Sequence, residues 1–220
     1  LSEIFLNEKH KKTLVLASQS PRRQELLALL GLEFETISSD LVEIFDPSQA
    51  PAEVATALAV LKANKVKESL LANLSQAEML EQTERLVILA ADTVVFLDPI
   101  FLGKPSSPNE AAHMLSRLSG ATHEVYTGVA VLSFAEGKLT PVCQQAAAKT
   151  TVSMRKLASE EIEDYIKTGE SLDKAGAYAL QGTAAAFIER VNGCVSNVIG
   201  LPMPITVQLL RNAGVKILGL

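Results

Sequence analysis

"LASQSPRRQELLALLG" (Leu16–Gly31) begins as the end of a strand and continues as a helix. The apolar run "TLVLA" (13–17) leads into it as a short buried strand. Ser20 suits the N-cap and Pro21 the first helical position. Arg22 and Arg23 then fall in the first turn, where the helix end carries roughly half a positive charge and Asp or Glu is favoured. Two readings fit. Either the helix N–H groups, the hydroxyls of Ser18 and Ser20 and the arginines together receive a phosphate or carboxylate, or this is a capped helix with two solvated arginines. The glycine pattern of a P-loop is absent.

Outward from that unit, "EFETIS" (33–38) alternates as a second strand, and "SDLVEIFDPSQAP" is an acidic loop. A long helix is predicted from Pro51 to about Leu71. The polar stretch from Asn73 to Arg85 either extends it or forms a surface excursion. "LVILAADTVVFL" (86–97) is an apolar strand, turned at Asp98-Pro99 into a returning strand at "IFLGKP". "SPNEAAHMLSRLSG" (107–120) is a capped amphipathic helix. Strands follow around "HEVYTGVAVLSF" and "PVCQQAAAKTTVSM", then a helix at "ASEEIEDYIKTG". "AAAFIERVNGCVSNVIG" reads as a hairpin across Asn192-Gly193, and "PITVQLLRNAG" as the closing helix. Strands and helices mix without strict alternation, which predicts an α/β or α+β chain with a mixed sheet.

The 220 residues are 48% hydrophobic and 20% charged, an ordinary globular balance. They suit one domain, residues 1–220, or two lobes around a cleft. No apolar run reaches the length of a membrane span, and the first dozen residues lack a signal-peptide core. The start at Leu1 suggests that an initiator or short leader is missing. A net charge of −5 argues against stable, sequence-independent nucleic-acid binding. Cys143 and Cys194 read as free thiols of a reducing cytoplasm, and the three histidines show no zinc spacing.

Four further features call for chemistry. Asp92 and Thr93 interrupt an apolar strand, and a carboxylate there needs a metal, a cation or a raised pKa. Lys62 lies on an apolar row with Val54, Leu58, Val66 and Leu70, either snorkelling to the rim or reaching into a cleft. Lys104 in "LGKP" sits in a fixed bend that can address a phosphate. In "SLDKAGAYALQG" (171–182), Asp173 and Lys174 either pair or divide between metal and phosphate, and Gln181 carries an amide that reads a base edge.

Together, "LASQSPRRQELLALLG", "AADTVV", "LGKP", "MLSRLSGATHEVYTGVAV" and "LDKAGAYALQG…FIERVNG…SNVIGLP" occur in the order of the Maf proteins, so nearly the whole chain resembles that family. The resemblance implies a two-lobed α/β fold with a central mixed sheet and flanking helices. This is related to the inosine triphosphatase-like fold, with the active-site cleft between the lobes. It also implies a divalent cation, Mg²⁺ or Mn²⁺, and cleavage of a nucleoside triphosphate to monophosphate and pyrophosphate.

Carried over by motif, the resemblance implies that Asp92, Glu43, Lys62 and Lys104 form the catalytic set, that Ser18, Ser20, Arg23 and Lys174 hold phosphate, and that Glu43, Asp92 and Asp173 are the metal ligands. Arg22, Thr93 and Gln181 match the branch acting on dTTP and UTP; the 7-methyl-GTP branch usually has Trp, Gln and Glu at these three positions. Ala179 departs from a usual glycine, "DPI" (98–100) replaces a glycine turn, and Asn73–Arg85 looks longer than typical. The family's association with septum inhibition leaves a second reading, a nucleotide-sensing regulator that binds without turnover. The expected partner is the nucleotide, with a homodimer possible and a cytoplasmic location.

Overall fold

The structure is a computed structural model and describes residues 12–41, 44 and 46–217. Its centre is a mixed sheet with strand order β2-β1-β3-β5-β6-β7, joined by β4 alongside β3. The strands are β1 (Thr13–Leu16), β2 (Glu35–Thr36), β3 (Leu86–Leu97), β4 (Ile100–Leu102), β5 (Thr122–Phe134), β6 (Pro141–Met154) and β7 (Ile188–Asn192). β1 runs parallel to both β2 and β3, and the remaining pairings are antiparallel. The mixed sheet and flanking helices are those expected from sequence.

Three long strands, β3, β5 and β6, run through both ends of the molecule. At one end they carry a core with α4 (Pro108–Leu118) and α5 (Ser159–Lys167), centred on Leu115, Val152 and Tyr165. At the other end two cores cover opposite faces of the sheet. α1 (Pro21–Ala28) and α7 (Met203–Asn212) pack on one face. α2 (Pro51–Leu71) packs on the other through Ala59, Ala63 and Val66.

α2 approaches the sheet closely because both surfaces are small. Ala55, Ala59 and Ala63 recur every four residues and are fully buried. Opposite them Gly128 of β5 has no side chain; a Cβ there would lie 2.3 Å from the carbonyl carbon and oxygen of Ala55. Gly128 is also the register partner of Asp92. The contact that lowers the helix onto the sheet therefore sits beside the buried carboxylate.

The Asn73–Arg85 stretch is a separate helix, α3 (Gln76–Thr83). Ser75 and Glu78 form a reciprocal capping box, which stops α2 from running on. The hairpin expected across Asn192-Gly193 does not form. Residues Thr183–Phe187 before β7 are a 3₁₀ turn, and the chain after Asn192-Gly193 does not return as a strand but forms α6 (Val195–Ile199). Thr150 Oγ1 accepts from the Cys194 N–H and donates to its carbonyl, so the turn is captured by β6 before a hairpin ladder starts.

Candidate active site

A cavity of about 420 Å³ opens where β3 passes from one core to the other. The end of β1 and the start of α1 form one wall, and α2 and β3 form the floor. The bend after β4 and the segment from Asp173 to Gln181 form the far wall. Of the twelve residues singled out in the sequence, eleven border this cavity; Glu43 lies outside the described residues. Among the described residues five basic side chains, Arg22, Arg23, Lys62, Lys104 and Lys174, border it with three acidic ones, Asp40, Asp92 and Asp173. An excess of positive charge in one concavity of an acidic chain draws in an anion.

Asp92 is 3% exposed and forms an ion pair with Lys62, itself 8% exposed. Lys62 therefore reaches inward rather than snorkelling to solvent, and the small face of α2 sets its height over β3. The pair answers the requirement that a buried carboxylate have a cationic partner.

The opening helix is capped differently from the sequence expectation. Ser20 takes the N-cap position, but its side chain makes no cap hydrogen bond. Its own N–H donates to Ser18 Oγ at 3.2 Å. Arg23 turns back into the protein. Its Nε donates to the Gly200 carbonyl at 2.9 Å, Nη2 to Thr93 Oγ1 at 3.1 Å, and Nη1 to Ser18 Oγ at 3.4 Å. Arg22 crosses the cavity towards Asp173, 3.7 Å away.

Asp173 and Lys174 form an ion pair at the mouth of the cavity. Burial pushes the Asp173 carboxyl up, but Lys174 and then Arg22 outweigh it and hold it below the ordinary carboxylate range. Lys174 Nζ also donates to the Glu170 carbonyl at 2.5 Å. The Glu170 carboxylate in turn accepts from Thr183 N–H and Oγ1, at 3.2 and 2.9 Å. One residue thus ties both flanks of the segment that carries Gln181. The far wall is coupled to the Lys104 bend by Gly176 N–H donating to the Gly103 carbonyl at 3.0 Å. It is coupled to the sheet by His123 Nε2 and Tyr178 Oη at 2.6 Å. Burial drives the His123 imidazole down to about 4 and raises the Tyr178 phenol, so this pair is uncharged.

Sequence reasoning passed over the loop Ser38–Asp40, which also borders the cavity; its serines carry no periodic signal. It also singled out neither Thr127 nor Asn197 nor Gly200, although the quoted stretches "MLSRLSGATHEVYTGVAV" and "SNVIGLP" contain them.

The chain belongs to a known family. The family model described as "Maf-like protein" matches residues 13–213, and the chain is a member of the Maf family. A Pelotomaculum thermopropionicum relative named "dTTP/UTP pyrophosphatase" is 44% identical over 94% of this chain and 100% of its own length. Relatives of the same name from Anaeromyxobacter dehalogenans strain 2CP-1 and Hahella chejuensis are 45% and 42% identical, over 91% and 94% of this chain and 94% and 95% of their own. Among solved structures, the Staphylococcus aureus Ham1 protein aligns over 91% of this chain and 99% of its own at 12% identity and a TM-score of 0.41, too distant to build on.

Proposed function

We propose that this chain is a hydrolase of acid anhydrides that cleaves dTTP and UTP to the nucleoside monophosphate and pyrophosphate, with modified pyrimidine triphosphates as a further candidate substrate class. Family membership and the relatives' activity support the reading. The observation that carries it is a buried, lysine-paired carboxylate, Asp92, facing the same cavity as a helix N-terminus and five basic side chains.

In this reading the triphosphate lies against the N-terminus of α1, Ser18, Ser20 and Arg23, where N–H groups and guanidinium attract the same anion. Asp92 takes a proton from the water that attacks the α-phosphorus. The bond from the α-phosphorus to the bridging oxygen breaks, and pyrophosphate leaves with its charge met by Arg23, Lys104 and Lys174. Lys62, paired with Asp92, holds its carboxylate in place. Gln181 meets the base, since one amide both donates to O4 and accepts from N3–H of a pyrimidine. Arg22, freed from Asp173, completes the base-selecting wall.

A divalent cation, Mg²⁺ or Mn²⁺, fits the donor chemistry. The carboxylates of this cavity are hard oxygen donors, and such ions take one or two carboxylates together with substrate phosphates. Asp92 and Glu43, with Asp173 at the rim, would hold it, and it would neutralise phosphate charge. Chelator should abolish turnover and Mg²⁺ or Mn²⁺ restore it.

Incubation with dTTP or UTP and assay for pyrophosphate tests the function. Binding without release would instate the nucleotide-sensing regulator, orthophosphate with diphosphate would mean a phosphatase, and preference for 7-methyl-GTP would overturn the branch. Among the described residues no helix is long and apolar enough to cross a membrane. A cytoplasmic location, a homodimer and the absence of stable nucleic-acid binding complete the proposal; fractionation, light scattering and a gel-shift titration test them.

A further inference from the structure

Arg23 is tied to parts of the fold outside its own helix. Three of its hydrogen bonds go to the β1–α1 turn, to β3 and to the end of α6. The β3 contact is the end of a longer chain. Thr93 Oγ1 lies 2.9 Å from Thr127 Oγ1, and Thr127 Oγ1 lies 3.0 Å from the Asn197 carbonyl. Asn197 Nδ2 donates to the Val125 carbonyl at 3.0 Å and to Thr150 Oγ1 at 2.9 Å.

The direction of every hydrogen in this chain follows from chemistry. A carbonyl only accepts, so Thr127 gives its one hydroxyl proton to Asn197. Thr93 must then donate to Thr127, and it accepts from Arg23 Nη2. The Val125 carbonyl fixes the Asn197 amide with its NH₂ inward. The Thr93 hydroxyl, although it borders the cavity, therefore has no proton to offer a nucleotide base.

Thr127 and Asn197 are fully buried and do not border the cavity. Among the described residues no group donates to Asn197 Oδ1, so the amide is held from its NH₂ side, by Val125 and Thr150. Gly200, whose carbonyl takes Arg23 Nε, has φ +122°, a conformation that side chains rarely adopt. The α6 turn is thus shaped to present two carbonyls, one to Thr127 and one to Arg23.

We propose that Thr127 and Asn197 are positioning residues of the reaction, which fix the phosphate-binding guanidinium of Arg23 through Thr93. The proposal rests on the phosphate role of Arg23 given above. It assigns Thr93 to the phosphate side of the site, through Arg23, instead of to the base.

The experiment is a double-mutant cycle of Thr127→Val with Arg23→Lys, with Thr127→Ser as the conservative control. Thr127→Val should lower kcat/KM for dTTP and for UTP by the same factor, about tenfold, the scale of a coupled polar contact. In the Arg23→Lys background the same change should cost less than about twofold. Thr127→Ser should recover most of the loss. Equal losses in both backgrounds, no recovery with serine, or a loss confined to one nucleotide would each overturn the proposal. Thr93→Val runs the same cycle should Thr127→Val fail to fold, and must leave the preference between dTTP and UTP unchanged. Calorimetric titration with inorganic pyrophosphate and Mg²⁺ reads the coupling without turnover. If the wild type releases no pyrophosphate from either nucleotide but this coupling persists, the hydrolase reading fails and the positioning role stands.

Discussion

Gly128→Ala tests whether the spacing of α2 over the sheet sets the catalytic pair. The added Cβ would lie 2.3 Å from the Ala55 carbonyl carbon and oxygen and 2.4 Å from Thr56 N. These are backbone atoms, with no rotamer through which to yield. Ordinary contact needs about 3.5 Å, so the helix must withdraw by roughly 1 Å. Overpacking of this kind costs about 1–3 kcal/mol, which for a chain of this size lowers Tm by roughly 2–12 °C. Lys62 stands two turns along the same helix and moves with it, away from Asp92 on the facing strand. A displacement of about 1 Å at a reacting group costs up to about 10²-fold. Melting curves and pyrophosphate release from dTTP, measured on the same preparations, are the assay. A variant that melts lower yet turns over at the wild-type rate would refute the link from helix spacing to catalysis. One that melts within about 1 °C of wild type would refute the packing argument itself.

Three further outcomes are expected. Asp92→Asn should lower kcat by about 10²–10⁴-fold while dTTP still binds by calorimetry; an active Asn variant would remove Asp92 as the base. His123 is neutral in the fold down to about pH 4, whereas an unfolded imidazole takes up a proton near 6.5. Between those values the unfolded state binds more protons, so stability falls as pH drops, by about 3 kcal/mol in all. His123→Gln should flatten that loss in melts taken from pH 7 to pH 4, and an unchanged slope would contradict it. Glu170→Ala releases the Thr183 end of the far wall beside Gln181. It should raise KM for dTTP and UTP roughly three- to tenfold with kcat within about twofold; a fall in kcat at unchanged KM would point elsewhere.

The sequence carried the elements whose periodicity is set by burial. α2 ends where its apolar row predicts, and β3 spans its apolar run from Leu86 to Leu97. Asn192-Gly193 misled because a turn dipeptide reports backbone freedom, not the partner that follows it. Here Thr150, over forty residues earlier, captures Cys194 and starts a helix. Lys62 was ambiguous for a related reason. An apolar row gives the face of a helix but not its height, and height depended on Gly128, on another strand. Thr127 and Asn197 lay inside quoted stretches but drew no role, because a buried hydroxyl and a buried amide look like ordinary polar residues until their partners are known.

The arginines of the first turn of α1 carry the same lesson to the chemistry. Both oppose the helix dipole, and local chemistry alone treats them alike. The family resemblance divides them between phosphate and base, and the fold gives each a different reach. Arg23 points back to Gly200, Thr93 and Ser18, three groups from three parts of the chain, and such a guanidinium is oriented before any ligand arrives. Preorganisation of that kind serves a charge whose position is fixed, as a phosphate against a helix end is. Arg22 is engaged only loosely across the cavity, 3.7 Å from a carboxylate that is 65% exposed. A contact that exposed contributes little, on the order of 0–1 kcal/mol, and yields readily to a nucleotide. The rigid arginine therefore suits the part that every triphosphate shares, and the movable one suits the part in which they differ.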